Sequence, residues 1–243
     1  MTKQIRERRR YSQSSSSQVR GNDTEIIMSE IPLIQKIFIF SIPIVFAITV
    51  HEVAHGWVAS KLGDQTAKLL GRLTLNPIKH IDPIGTVVLP ILMIVFTPYA
   101  FGWAKPVPVN WRNLGNPKRD MALVAVAGPL ANFFMLVFWV LFLMITSNLS
   151  FLPSYSTLLL TEMASVGIII NIVLIVLNLL PLPPLDGSRI FAAFLSPAMA
   201  IKYGKLEQWG FPILVVLIFT GLLGKILAPM INMMLSFVEF FIS

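Results

Sequence analysis

Long stretches of this chain carry almost no formal charge, and that limits what it can fold into more than any other feature. Asp, Glu, Lys and Arg are absent from 83–104, from 121–161 and from 163–185, and Lys225 alone interrupts 210–238. Each run reaches the roughly 20 residues with which a helix crosses a hydrocarbon core. Only 13% of the chain is charged, against roughly 25% in an ordinary soluble domain. The pattern predicts an all-α membrane protein: a polytopic helical bundle of about four to six membrane segments, with short extended or hairpin pieces in its loops.

The net charge of +7 does not point to a nucleic-acid partner. Lys and Arg lie mostly in a polar N-terminal tail and in short loops, where they orient a membrane protein. No basic stripe interleaved with aromatics is present. The expected surroundings are the lipid bilayer, and nothing in the pattern sets an oligomeric state. Cysteine is absent, which excludes disulfides and thiolate ligands, so a transition-metal site would have to be built from His and carboxylates.

Residues 1–30 are polar, Arg-rich and then Ser-rich, and are expected to form a disordered tail ahead of a membrane domain at 31–243. Met28 is an alternative start, and no apolar run long enough for a cleavable signal peptide precedes the first helix. Helices are expected at 32–61, 120–147, 158–182 and 210–240, with a short interfacial helix within 188–202. Segment 84–103 is long enough to span but is broken by Gly85, Pro90, Pro98 and Gly102. Such backbone is tolerated at membrane depth where protein or a water-filled cavity covers it.

The first helix contains His51-Glu52-Val53-Ala54-His55. Positions i and i+4 share a helical face one turn apart, so both imidazoles can reach one ion. Glu52 lies about 100° around the helix from His51, near enough to a water on that ion to take its proton without being a ligand. The alternative is a pair of packed histidines beside a buried Glu. That arrangement is costly in a membrane helix, where ionisable groups are expensive and usually functional. Two of the three histidines in the chain fall in this motif.

A catalytic zinc takes three protein ligands and keeps one position open. The remaining histidine, His80, lies between Lys79 and Asp82 in a polar loop and reads as a solvated residue. Asp186 follows Pro181-Leu182-Pro183-Pro184-Leu185 at the end of an apolar helix and precedes Gly187. It suits a third ligand, and it equally suits a turn, since Pro-Pro-x-Asp-Gly is good turn chemistry.

Together, His51-Glu-x-x-His55 and Asn178-Leu-Leu-Pro-Leu-Pro-Pro-Leu-Asp186-Gly187 resemble the two signature motifs of the site-2 protease family of intramembrane zinc metalloproteases. Gly128-Pro129-Leu130-Ala131-Asn132 resembles the family's G-P-x-x-N element, and the similarity runs from about residue 40 to 205. The resemblance implies one zinc ion per chain, bound by His51, His55 and Asp186. It implies Glu52 as catalytic base and Asn178 as an assistant near the scissile bond. Substrates would be transmembrane proteins, cut in or beside their membrane segments for signalling or for clearance of remnants. No PDZ or CBS domain is visible, which suggests the compact branch. Asn132 and Asn178 also fit hydrogen-bonding glue between helices.

His51 and Asp186 can share an ion only if their helices run in the same direction, which requires 84–103 to enter the membrane and return to the same side. The loops on the side of 61–120 and 183–209 are basic, whereas 148–157 holds no Lys or Arg. The positive-inside rule then places the active site toward the cytoplasm, in an expected bacterial cell membrane, and leaves the Arg-bearing tail outside unless the chain starts at Met28. Two other functions fit a metal-binding membrane helix. A metal-ion transporter would use intramembrane His and Asp as a pathway, yet no inverted repeat is visible. An inert zinc-containing binder would normally close its site with four ligands, and three are evident.

Overall fold

The computed structural model describes residues 31–88, 102–149 and 153–242. The expected tail and the middle of 84–103 lie outside them. The chain divides into two compact units, 1–40 and 41–243, and His51, Glu52, His55, Asn178 and Asp186 all belong to the second. Among the described residues four helices are long and apolar enough to cross a membrane: α1 (Leu33–Lys61), α3 (Pro117–Ser147), α4 (Ser154–Asn178) and α8 (Leu222–Ile242). Shorter helices are α2 (Thr66–Leu69), α5 (Asp186–Ala192), α6 (Pro197–Gly204) and α7 (Glu207–Phe219). Among the described residues no strand forms, and the loop 102–110 is irregular backbone.

The helix ends follow local chemistry. The side chain of Asn116 accepts from the Arg119 N–H and Pro117 sits in the first turn, so α3 begins three residues before the expected 120. Helix α4 spans 154–178 rather than 158–182. It starts just past Pro153 and stops at Asn178, because Pro181, Pro183 and Pro184 beyond it cannot continue the hydrogen-bond ladder. The expected helix at 210–240 is two helices. Gly221 adopts φ +69 and ends α7 after 13 residues, about 20 Å of helix, too short for a core of roughly 30 Å. The interfacial stretch also divides, with Ser196 capping α6 through the Met199 N–H.

Buried side chains give the packing. Leu136 and Trp139 of α3 meet Ile168, Ile172 and Val176 of α4, with Leu214 of α7 and Leu223 and Leu227 of α8 completing the cluster. Phe133, Phe134, Phe138 and Leu141 of α3 stay exposed, as suits a surface solvated by lipid. Helix directions follow from cross-helix contacts. His51 pairs with Asn132 and His55 with Val124, so α1 and α3 are antiparallel. Asn132 pairs with Asn171, and Trp139 lies against Gly167, so α3 and α4 are antiparallel as well. Helices α1 and α4 therefore run in the same direction, as a shared ion requires.

The two ends of segment 84–103 are joined. Trp103 N–H donates to Gly85 O at 3.1 Å, and the Thr86 hydroxyl donates to Trp103 O at 2.8 Å. Lys105 N–H donates to His80 O at 2.9 Å. The chain thus leaves and returns at one level, whereas residues 89–101 lie outside the description. His80 is buried rather than solvated, with Nε2 on Thr74 O at 2.8 Å.

Beyond α1, Asp64 fastens the same layer. It is fully buried and accepts from the backbone N–H of Thr66 and Asn110, the Thr66 hydroxyl and the Asn113 amide. Burial would raise its carboxyl pKa, but these donors outweigh it and hold the group below the usual carboxylate range. A carboxyl lowered by folding adds stability above an unfolded value of about 3.9 and loses it as pH falls through the folded value. We expect Asp64→Asn to cost about 1–3 kcal/mol at neutral pH, because its amide NH2 turns a donor toward donors. Thermal melts in detergent should show the gap to wild type narrowing below about pH 4; a gap unchanged at pH 3 would remove the ionic contribution.

Candidate metal centre

The sequence-predicted ligands converge. His51 Nε2 and His55 Nε2 stand 3.0 Å apart, and Asp186 Oδ2 lies 3.2 Å from the first and 3.3 Å from the second. Both histidines are buried and Asp186 is nearly so. Elements distant in sequence bring them together: His51 and His55 come from successive turns of α1, and Asp186 opens α5 just beyond the proline-rich turn that follows α4.

That turn is held from several sides. Tyr203 of α6 donates its hydroxyl to Pro181 O at 2.7 Å, and Ser188 donates to Leu185 O at 2.7 Å. The Arg189 guanidinium stacks over Trp111, 4.6 Å from the ring centroid, which ties α5 to the loop before α3.

Hydrogen bonding settles what the three groups present to one another. His51 Nδ1 lies 2.6 Å from Asn132 Oδ1, and His55 Nδ1 lies 2.7 Å from the Val124 carbonyl. Both partners are acceptors, so each Nδ1 carries the hydrogen. In a neutral imidazole the other nitrogen is then a bare lone pair. With both imidazoles neutral, two such lone pairs face a carboxylate oxygen, and Asp186 Oδ2 is buried without a hydrogen-bond partner. Such a cluster repels itself unless a cation sits inside. Tetrahedral bonds of about 2.0–2.1 Å put zinc ligands about 3.3 Å apart, close to the spacing found. The group fits one zinc ion.

Space for the ion comes from Gly128 of α3. A Cβ built there would lie 2.5 Å from His55 Nε2 and 2.6 Å from His51 Nε2. Gly128 and Asn132, one turn apart in the G-P-x-x-N element, therefore face the same cluster, the first by leaving room and the second by holding His51. Asn132 is thus more than interhelical glue.

Glu52 and Asn178 sit differently. Glu52 is half-buried, and its carboxylate accepts the Val107 N–H at 2.8 Å, which anchors loop 102–110 to α1. Asn178, the last residue of α4, donates its amide to Leu174 O at 3.0 Å, within its own helix; the three metal-facing groups assemble without it. Sequence reasoning passed over Asn171, which is fully buried and bonded to Asn132. The only available signal was a polar side chain within the apolar run 166–177.

Comparison with known proteins agrees in kind. The sequence model of peptidase family M50 matches residues 154–221, the part that carries the Asp186 motif. The chain is 44% identical over 193 residues to the Bacillus subtilis protein named "Putative zinc metalloprotease YwhC", covering 79% of this chain and 84% of that one. It is 33% identical over 180 residues to the Mycolicibacterium smegmatis protein named "Putative zinc metalloprotease Rip2", covering 74% and 66%. The Mycobacterium tuberculosis protein of the same name is 28% identical over 188 residues, 76% of this chain and 65% of that one. No solved structure matches.

Proposed function

This chain belongs to peptidase family M50, the site-2 protease family, and from that premise we propose that it cuts membrane proteins in or beside their transmembrane segments. The observation that carries the proposal is the meeting of His51 Nε2, His55 Nε2 and Asp186 Oδ2 at 3.0, 3.2 and 3.3 Å from one another. In this reading His51, His55 and Asp186 hold the zinc and Glu52 is the general base. Bound there, zinc supplies Lewis-acid polarisation of a carbonyl and acidifies water.

The chain's own residues do the rest. Glu52 is next to His51 in α1, about 100° around the helix from it, near enough to serve the site without being a ligand. It accepts the water's proton and returns it to the departing amine, so that atoms and charge balance over the cycle. The Val107 N–H fixes one of its oxygens and limits the rotamers it can adopt. Asn178 assists at the scissile bond, a role that rests on the family motif. Helical substrates bury their amides in their own hydrogen bonds, so a segment must unwind before it reaches the site. The site opens toward the cytoplasm, the side of the basic loops.

Metal content tests the ligand set. Purified wild type should hold about one zinc per chain, whereas His51→Ala and Asp186→Ala should each lose it, measured by mass spectrometry of the metal on detergent-purified protein. Zinc retained in full by Asp186→Ala would mean that the third ligand is another group.

A further inference from the structure

We propose that Asn171 is a positioning residue for the metal centre: through Asn132 it fixes the tautomer of His51. The inference rests on the zinc-site reading and deepens it.

The chain of bonds runs from α4 through α3 to α1. Asn171 donates its amide to Gly167 O at 2.8 Å, one turn back in its own helix. That fixes which end of its side chain is nitrogen and turns Oδ1 toward α3, where it accepts from Asn132 Nδ2 at 2.9 Å. The second hydrogen of that nitrogen reaches Ala47 O at 3.2 Å. Asn132 Oδ1 is thereby left facing His51 Nδ1 at 2.6 Å. Asn132 and Asn171 are both fully buried, so water does not replace a missing partner at low cost.

An amide can flip, and here the flip has a consequence. With its NH2 turned to His51, Asn132 would make Nδ1 an acceptor and move the imidazole hydrogen to Nε2. A hydrogen on Nε2 would point at Asp186 and His55 and remove one ligand lone pair. Two acceptors oppose the flip, Ala47 O and Asn171 Oδ1. Asn171 supplies half of this opposition from a helix that otherwise touches neither histidine by hydrogen bond. Partners beyond the ligands commonly change metal affinity by 10- to 100-fold.

The test pairs a metal-free readout with a metal-bound one. The chain has three histidines, so 15N-histidine spectra of the zinc-free protein are tractable. His80, with Nε2 on Thr74 O, serves as the internal reference for the opposite tautomer. Wild type should show His51 and His55 with hydrogen on Nδ1. Asn171→Leu should shift His51 toward the Nε2–H form and weaken zinc binding about 10-fold or more in competition with a chelator. Asn171→Ala, which adds no bulk between the helices, should do the same, and Asn132→Asp, acceptor-only toward His51 when ionised, should keep the Nδ1–H form.

A folded Asn171→Leu or Asn171→Ala protein with the wild-type tautomer and zinc affinity would overturn the proposal. His51→Ala distinguishes the two levels. Zinc lost in His51→Ala but unchanged in the Asn171 variants rejects the role of Asn171 alone, whereas zinc kept in His51→Ala rejects the site itself.

Discussion

Glu52→Gln should lower peptide-bond cleavage by about 10²–10⁴-fold while leaving zinc content and folding unchanged. The expectation follows from what the carboxylate does in the resting structure and what it must do in the reaction. At rest it is an acceptor for the Val107 N–H at 2.8 Å, a task that the carbonyl oxygen of glutamine performs equally well, so loop 102–110 keeps its anchor. In the reaction it must take a proton and give it back, which an amide does not do at neutral pH. Glu52 is not in the cluster of His51, His55 and Asp186, so these three candidate ligands keep their geometry. The measurement is cleavage of a tagged single-span reporter in proteoliposomes, with zinc per chain determined on the same preparation. Cleavage within 10-fold of wild type would remove Glu52 as the base. Zinc lost together with activity would instead place Glu52 among the groups that hold the metal.

How much of this was legible in the sequence depends on whether a feature is local. His51 and His55 are four residues apart, and helical geometry alone puts them on one face. The same holds for the charge-free runs, because the span of a helix is a matter of length. Asp186 is harder. Its position beside the histidines depends on α1 and α4 running in the same direction and on a turn held by Tyr203 and Arg189. Nothing around residue 186 encodes those contacts; its place after the apolar helix suited a ligand or a turn alike, and the family motif decided between them. Asn171 lies further beyond reach, since an Asn within an apolar run looks the same whether it bonds a neighbour for stability or orients a ligand through one. The break at Gly221 failed for a different reason. An isolated glycine in an apolar run is compatible with a continuing helix, and only the φ of +69 makes it a stop. His80 was misjudged because its charged neighbours suggested solvent, whereas its ring turns inward to Thr74.

Gly128→Ala tests the space of the site rather than its ligands, and its effect should be as large as deleting a histidine. Within α3 the substitution is locally favourable, since alanine stabilises a helix interior by roughly 0.5–1 kcal/mol over glycine. Against that, the new Cβ would stand 2.5 Å from His55 Nε2 and 2.6 Å from His51 Nε2. Side-chain ends often yield to such a clash, but these two are held from behind by Asn132 and Val124. Moving either ring breaks a buried hydrogen bond, and leaving it in place puts a methyl group where an ion within about 2.0–2.1 Å of both nitrogens must sit. We expect zinc affinity to fall by at least about 100-fold, the upper end of what groups outside the ligand set usually do. Stability should not rise. Without metal, Gly128→Ala should melt at or slightly below wild type, since the lost buried hydrogen bond outweighs the helix gain, and added zinc should raise the wild-type melting temperature alone, because only a state that binds the ion gains from it. Equal zinc-dependent shifts in the two proteins would mean that Gly128 does not border the ion. A variant that binds zinc but melts lower would locate the clash in the packing of α1 on α3 instead.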